Sequence, residues 1–163
     1  GLTDSEDVPE PPEEPVSKPG EIYRLGEHML LCGDACEESN LKRLLGGKKA
    51  DMLLEDPPYN VDYQGGTQER LTISNDSMAD EQFLGFLSKA FAASAKHMKK
   101  GAPFYIWYGE NEVVNFRKAC LAAGLDIKQC LIWRKSQLVI GRQDYQWIHE
   151  ACLYSWVPGA CHK

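Results

Sequence analysis

Four consecutive residues, Asp56-Pro57-Pro58-Tyr59, combine a carboxylate, two conformationally fixed backbone units and an aromatic ring. That set suits a reaction at an exocyclic NH2 group. The lone pair of such a nitrogen is delocalised into its ring, so the nitrogen is a poor nucleophile. A carboxylate accepting one N–H and a backbone carbonyl accepting the other pull it toward tetrahedral geometry and localise the pair. Asp56 supplies the first acceptor. The Pro57 carbonyl supplies the second, aimed by the restricted proline backbone. Tyr59 offers a face on which a base can stack. Taken alone, the four residues are also an ordinary strand terminator, and short motifs match by chance.

The elements around the motif favour the chemical reading. Asp51–Glu55 is a short apolar strand running straight into Asp56, and open α/β sheets bind ligands at the carboxyl ends of strands. Upstream, residues 22–25 and 28–32 flank a Gly26-Glu27 turn and read as a hairpin. Residues 36–46 read as a helix stopped by Gly46-Gly47. Residues 60–79 read as a polar loop containing Gly65-Gly66, placed to close over the site. A helix is expected over 80–99, with Phe83, Leu87, Phe91, Ala95 and Met98 as its apolar stripe, Asp80 as its cap, and Lys99-Lys100-Gly101 at its end. Residues 103–108 form a buried type of strand, 110–123 a second helix, and 126–134 and 149–157 two late strands. The predicted fold class is α/β: a partial Rossmann-like sheet with parallel βαβ units, helices on both faces and a closing antiparallel strand pair.

The chain has 163 residues, room for one domain with a real core. Net charge is −6. Residues 1–19 hold six acids, five prolines and one lysine, so they read as an acidic linker, and the remaining 144 residues are almost neutral, with 18 acids and 17 bases. A neutral body neither supports nor excludes nucleic-acid binding, which needs only a local basic patch. No run reaches membrane-span length. The six cysteines, Cys32, Cys36, Cys120, Cys130, Cys152 and Cys161, form no CxxC pair. They read as reduced thiols of a cytoplasmic protein, and no metal site is expected.

With these residues in place, the chain resembles the amino-methylating DNA methyltransferases (adenine-N6 or cytosine-N4) of the permuted type, in which the catalytic tetrapeptide precedes the donor-binding motif. The matching residues are Leu25-Gly26-Glu27-His28-x-Leu30-Leu31-Cys32-Gly33-Asp34, Asp51-x-Leu53-Leu54-x-Asp56-Pro57-Pro58-Tyr59-Asn60, and Asn75-Asp76-x-Met78 with Phe83-Leu84. Trp133-x-Lys135, Tyr145, His149-Glu150, Leu153-Tyr154 and Gly159-Ala160-x-His162 follow in order, so the likeness covers residues 20–163. The acidic tail followed by Lys18-Pro19-Gly20 is similar to phage or prophage methyltransferases in which a ParB-like domain comes first. The resemblance implies S-adenosylmethionine as donor, double-stranded DNA with a flipped base as partner, and direct methyl transfer without a covalent adduct. It implies that Asp56, Pro57, Pro58 and Tyr59 are catalytic and that Asp34 contacts the donor together with Asp56 and Tyr59. Asp34 reads equally well as a cap of the 36–46 helix. The family's Phe-x-Gly-x-Gly donor turn is expected downstream of Lys163. Residues 1–163 alone are therefore expected to bind donor weakly or not at all and to be inactive.

Other candidates carry ordinary readings beside their functional ones. Residues 135–148 interleave Lys135, Arg142, Tyr145 and Trp147, which suits phosphate and base contact, and equally a solvated hairpin loop. With the resemblance, Lys135, Arg142, Tyr145 and His149 are read as DNA-binding. His149-Glu150 lacks a second histidine four residues on, so it is read as packing and hydrogen-bonding residues near the base pocket. The competing function is a non-catalytic DNA- or partner-binding module derived from such an enzyme. The sequence leaves the target base, recognition site and oligomeric state open.

Overall fold

The structure, a computed structural model, describes residues 12–63, 72–139 and 144–162, with Val139 as backbone only. Two short strands come first, β1 (Ile22–Leu25) and β2 (His28–Leu31), paired antiparallel around Gly26, whose φ of 65° is one that glycine tolerates. Helix α1 (Glu38–Leu45) ends at Gly46 in the left-handed region. Then come β3 (Leu53–Glu55), α2 (Asp80–Lys96), β4 (Pro103–Tyr108), a 3-10 turn at Glu110–Glu112, α3 (Val113–Ala122), β5 (Gln129–Val139) and β6 (Trp147–Trp156).

The main sheet runs β3-β4-β6-β5, with β3 parallel to β4 and the other pairings antiparallel. β3–α2–β4 is thus the one parallel βαβ unit among the described residues, and β5–β6 is the expected antiparallel pair. Alternation along β4 decides the layers. Phe104, Ile106 and Tyr108 are buried, and their cross-strand partners Ser155, Leu153 and Ala151 share that face. α2 delivers Phe83, Leu87 and Phe91 to this face, and α3 delivers Phe116, Ala119 and Cys120. Each fully buried Phe or Leu contributes roughly 1.5–3 kcal/mol. The opposite face carries Tyr105, Trp107 and Tyr154, with Leu54 61% and Trp133 53% exposed.

Several boundaries differ from the sequence reading. α2 stops at Lys96, because Met98 leaves the helix to bridge Ala50, and Lys99 pairs with Asp51 at 2.6 Å. Asp80 does not cap α2: it is the first helical residue after Ala79, and its carboxylate accepts the Asn115 amide at 2.7 Å. β5 and β6 extend well into the expected 135–148 loop, so Lys135 lies on a strand. Most of the expected lid, including Gly65-Gly66, falls outside the described residues.

Candidate active site

Because β3 and β4 are parallel, their carboxyl ends share one edge of the sheet. Antiparallel β6 brings its first residues to the same edge, with Ala151 opposite Tyr108. β5 brings Trp133 and Arg134 opposite Glu150 and His149. Asp56 follows β3 directly and opens onto this edge. A cleft of about 310 Å³ is lined there by Asp56, Pro57, Tyr59, Tyr63, Asp76 and Glu150. A second, of about 370 Å³, is lined by Tyr59, Gly109, Lys135, Trp147, His149 and Glu150. Tyr59, Val61 and Glu150 line both, so the clefts adjoin. Each is within the roughly 300–1,000 Å³ range of small-molecule sites.

Asp56 is exposed and makes no ion pair among the described residues. One carboxylate oxygen, Oδ1, accepts the Tyr59 hydroxyl at 2.7 Å. Burial raises the Tyr59 hydroxyl far above the usual phenol range, and the Asp56 hydrogen bond and charge add to it. Tyr59 is therefore a permanent donor that holds Asp56 in orientation. Its ring stands edge-on to Phe116, with centroids 6.4 Å apart at 76°. Gly109 leaves room for that placement, since a Cβ there would sit 3.2 Å from Tyr59 Cβ. The Pro57 carbonyl accepts no backbone N–H among the described residues. A carboxylate and a carbonyl thus stand at consecutive positions on a strand tip, beside an aromatic ring.

Lys135 forms an ion pair with Glu150, and its Nζ lies 5.7 Å from the Trp133 ring centroid. His149 packs edge-on to Trp147 at 5.2 Å. Two of the DNA-contact candidates, Lys135 and His149, therefore join Tyr59 around one cleft. Tyr145 is 90% exposed and is not among the described residues lining either cleft. Arg142 lies outside the described residues.

Asp34 is held apart from Asp56. Its Oδ1 accepts the Cys36 N–H at 2.8 Å, which caps the turn before α1 rather than the helix itself. It lines a different cleft with Asn75, Met78 and Phe86, separated from Asp56 by the 75–78 segment. Among the described residues no three His, Cys, Asp or Glu side chains gather as metal ligands, and no helix is long and apolar enough to cross a membrane.

Sequence reasoning undervalued Glu150, which lines both clefts. On a regular strand His149 and Glu150 point to opposite faces, but at the sheet edge both reach the site. Val61, Tyr63 and Asp76 were not singled out as wall residues. Asp76 entered only through the resemblance, because nothing in one sequence tells that residues 61–63 and 76 fold together.

No family model matches the chain, and no curated protein matches it. Solved structures do. M1.HpyAVI in complex with SAM matches with a TM-score of 0.52 at 15% identity, covering 77% of this chain and 53% of that one. TTHA0409 of Thermus thermophilus, described as a DNA modification methylase, matches with a TM-score of 0.52 at 18% identity, covering 80% of this chain and 54% of its own. The chain shares the α/β fold of these structures and spans about half their length.

Proposed function

We propose that the protein carrying this sequence methylates the exocyclic amino nitrogen of adenine (N6) or cytosine (N4) in double-stranded DNA, with S-adenosylmethionine as donor. The observation that carries the reading is the solvent-facing Asp56 carboxylate, followed at once by the Pro57 carbonyl at the tip of β3 and oriented by Tyr59.

In this reading a base flipped out of the duplex enters the paired clefts and stacks on Tyr59. Asp56 accepts one amino hydrogen and the Pro57 carbonyl the other, which raises the nucleophilicity of the nitrogen. The nitrogen loses its extra proton after transfer, and Asp56 is the acceptor at hand. Lys135 and His149 contact the DNA. The donor supplies an electrophilic methyl group on a sulfonium. The chain's residues fit that cationic end, since Asp56 and Glu150 give the cleft wall carboxylates and Tyr59 an aromatic face. Asp56 and Tyr59 would hold it. Asp34, in its separate cleft, would contact a more distant part of the donor.

Residues 1–163 in this reading supply the amine-holding half and grip the donor weakly. A match spanning about half of larger methyltransferase-fold structures supports that division. Residues 1–19 would be a tether to an upstream domain of ParB-like type in a phage or prophage protein. The test is nucleoside mass analysis of DNA after incubation with the full-length protein and S-adenosylmethionine. The expected product is N6-methyladenine or N4-methylcytosine, lost in Asp56→Ala with the fold retained. DNA binding without any methylated nucleoside would leave the binding-module reading instead.

A further inference from the structure

The stretch after the tetrapeptide is held in an unusual way. Asn60 and Asp62 have φ of 59° and 52°, and Asn75, on the facing segment, has φ of 65°. Non-glycine residues rarely adopt this region, and such outliers persist only where the surroundings impose them. The imposing group is Asp76. It is 3% exposed, and among the described residues it has no cation partner. Burying a carboxylate is costly unless its oxygens are satisfied. Here Oδ2 accepts the Tyr63 N–H at 2.7 Å and Oδ1 the Val61 N–H at 3.4 Å, while the Asp76 carbonyl accepts the Asp62 N–H at 2.7 Å. Three successive amides are thus tied to one residue.

Asn60 completes the clamp. Its Oδ1 accepts the Met78 N–H at 2.6 Å, and its Nδ2 donates to the Met78 carbonyl and to Glu112 Oε1 at 2.8 Å. Glu112 Oε2 in turn accepts Asn115 Nδ2 at 2.7 Å, which also reaches Asp80. The first turns of α2 and α3 are therefore wired to the residue next to Tyr59. The strap so fixed presents Val61 and Tyr63 to the Asp56 cleft, Val61 to both clefts, and both are about half exposed.

We propose that Asp76 is a positioning residue for the methyl transfer: with Asn60 it holds strap 60–63 as the wall that presses the target base against Asp56 and Tyr59. The inference rests on the function proposed above. It assigns Asp76 no contact with substrate. It acts through the strap, so its loss lowers turnover by letting the base sit at variable distance from the acceptors.

The test combines amide exchange with steady-state kinetics on the full-length protein. In Asp76→Ala, exchange at Val61 and Tyr63 is expected to accelerate about tenfold or more, the size of a lost charge-assisted hydrogen bond. Peptides covering residues 83–91 and 104–108 should keep wild-type protection. kcat should fall about tenfold or more while KM for DNA changes less than about threefold, and Asp76→Asn, which keeps one acceptor oxygen, should recover part of kcat. Should Asp76→Ala unfold the core, Asn60→Gly takes its place, because glycine tolerates φ near 59° and only the side-chain bonds are lost. Unchanged exchange in the strap overturns the clamp. Faster strap exchange with wild-type kcat overturns the positioning role. A wild-type protein that transfers no methyl group overturns the proposed function first, and this role with it, whatever the variants do.

Discussion

Glu55 sits one residue before Asp56 with its side chain on the opposite, helix-covered face, since its register partner is the buried Ile106. Its Oε1 accepts the Ser94 hydroxyl at 2.5 Å. Burial pushes this carboxyl up to about 6 from its ordinary value of 4.5, against the lowering effect of the Ser94 bond. The neighbouring Cys120 thiol is itself pushed up to about 12 by burial and brings no compensating charge. Between pH 4.5 and about 6 the folded state keeps a proton that the unfolded chain has released, so stability falls as pH rises through that window and this group adds no further loss above it. The difference between the two states is worth about 2 kcal/mol. Glu55→Gln removes the titration and keeps an acceptor for Ser94. The variant should match wild type near pH ~4 and exceed it by about 2 kcal/mol at pH ~8. For a domain of this size that is a rise in Tm of roughly 4–8 °C. Urea denaturation followed by fluorescence of the four tryptophans measures it. An equal difference at both pH values, or a variant less stable than wild type at the higher pH, would refute the burial argument.

Other perturbations probe the site more directly. Tyr59→Phe removes the hydroxyl that orients Asp56 and keeps the stacking ring, so kcat should drop by no more than about tenfold, read by methyl-transfer kinetics. Gly109→Ala places a Cβ 3.2 Å from Tyr59 Cβ, and displacing that ring should cost roughly 1–3 kcal/mol of stability along with much of the activity. Phe116 is fully buried, with Tyr59, Phe83, Phe91 and Tyr108 rings around it, so Phe116→Ala should cost roughly 3–5 kcal/mol in denaturation. Lys135→Ala should lower the slope of log Kobs against log salt by about 0.9 if the lysine leaves Glu150 for a phosphate, and an unchanged slope would confine it to the ion pair.

The local parts of the fold were legible because their signals are local. The Gly26 turn, the Gly46 stop and the alternation of residues 103–108 each depend on a few neighbours. The Phe83, Leu87 and Phe91 stripe marked the buried side of α2 correctly. What stayed hidden depends on contacts distant in sequence. Asp80 looked like a cap, but the Asn115 amide, 35 residues on, claims its carboxylate. Residues 135–139 looked like loop because their polar side chains gave no sign that β6 would pair with them. Asp56 and Tyr59 announced the site by type and position. Glu150, Val61 and Asp76 reach it only through sheet register and the strap, which no residue pattern encodes.

The central claim is that the Asp56 carboxylate and Pro57 carbonyl hold a planar amine for methylation. Its most direct measurement is the identity of the modified nucleoside in DNA treated with S-adenosylmethionine and either the wild-type full-length protein or Asp56→Ala. A methyl group on an exocyclic nitrogen with wild type, and none with a folded Asp56→Ala, is the expected result. A methyl group on cytosine C5, or undiminished amino methylation by Asp56→Ala, would contradict it.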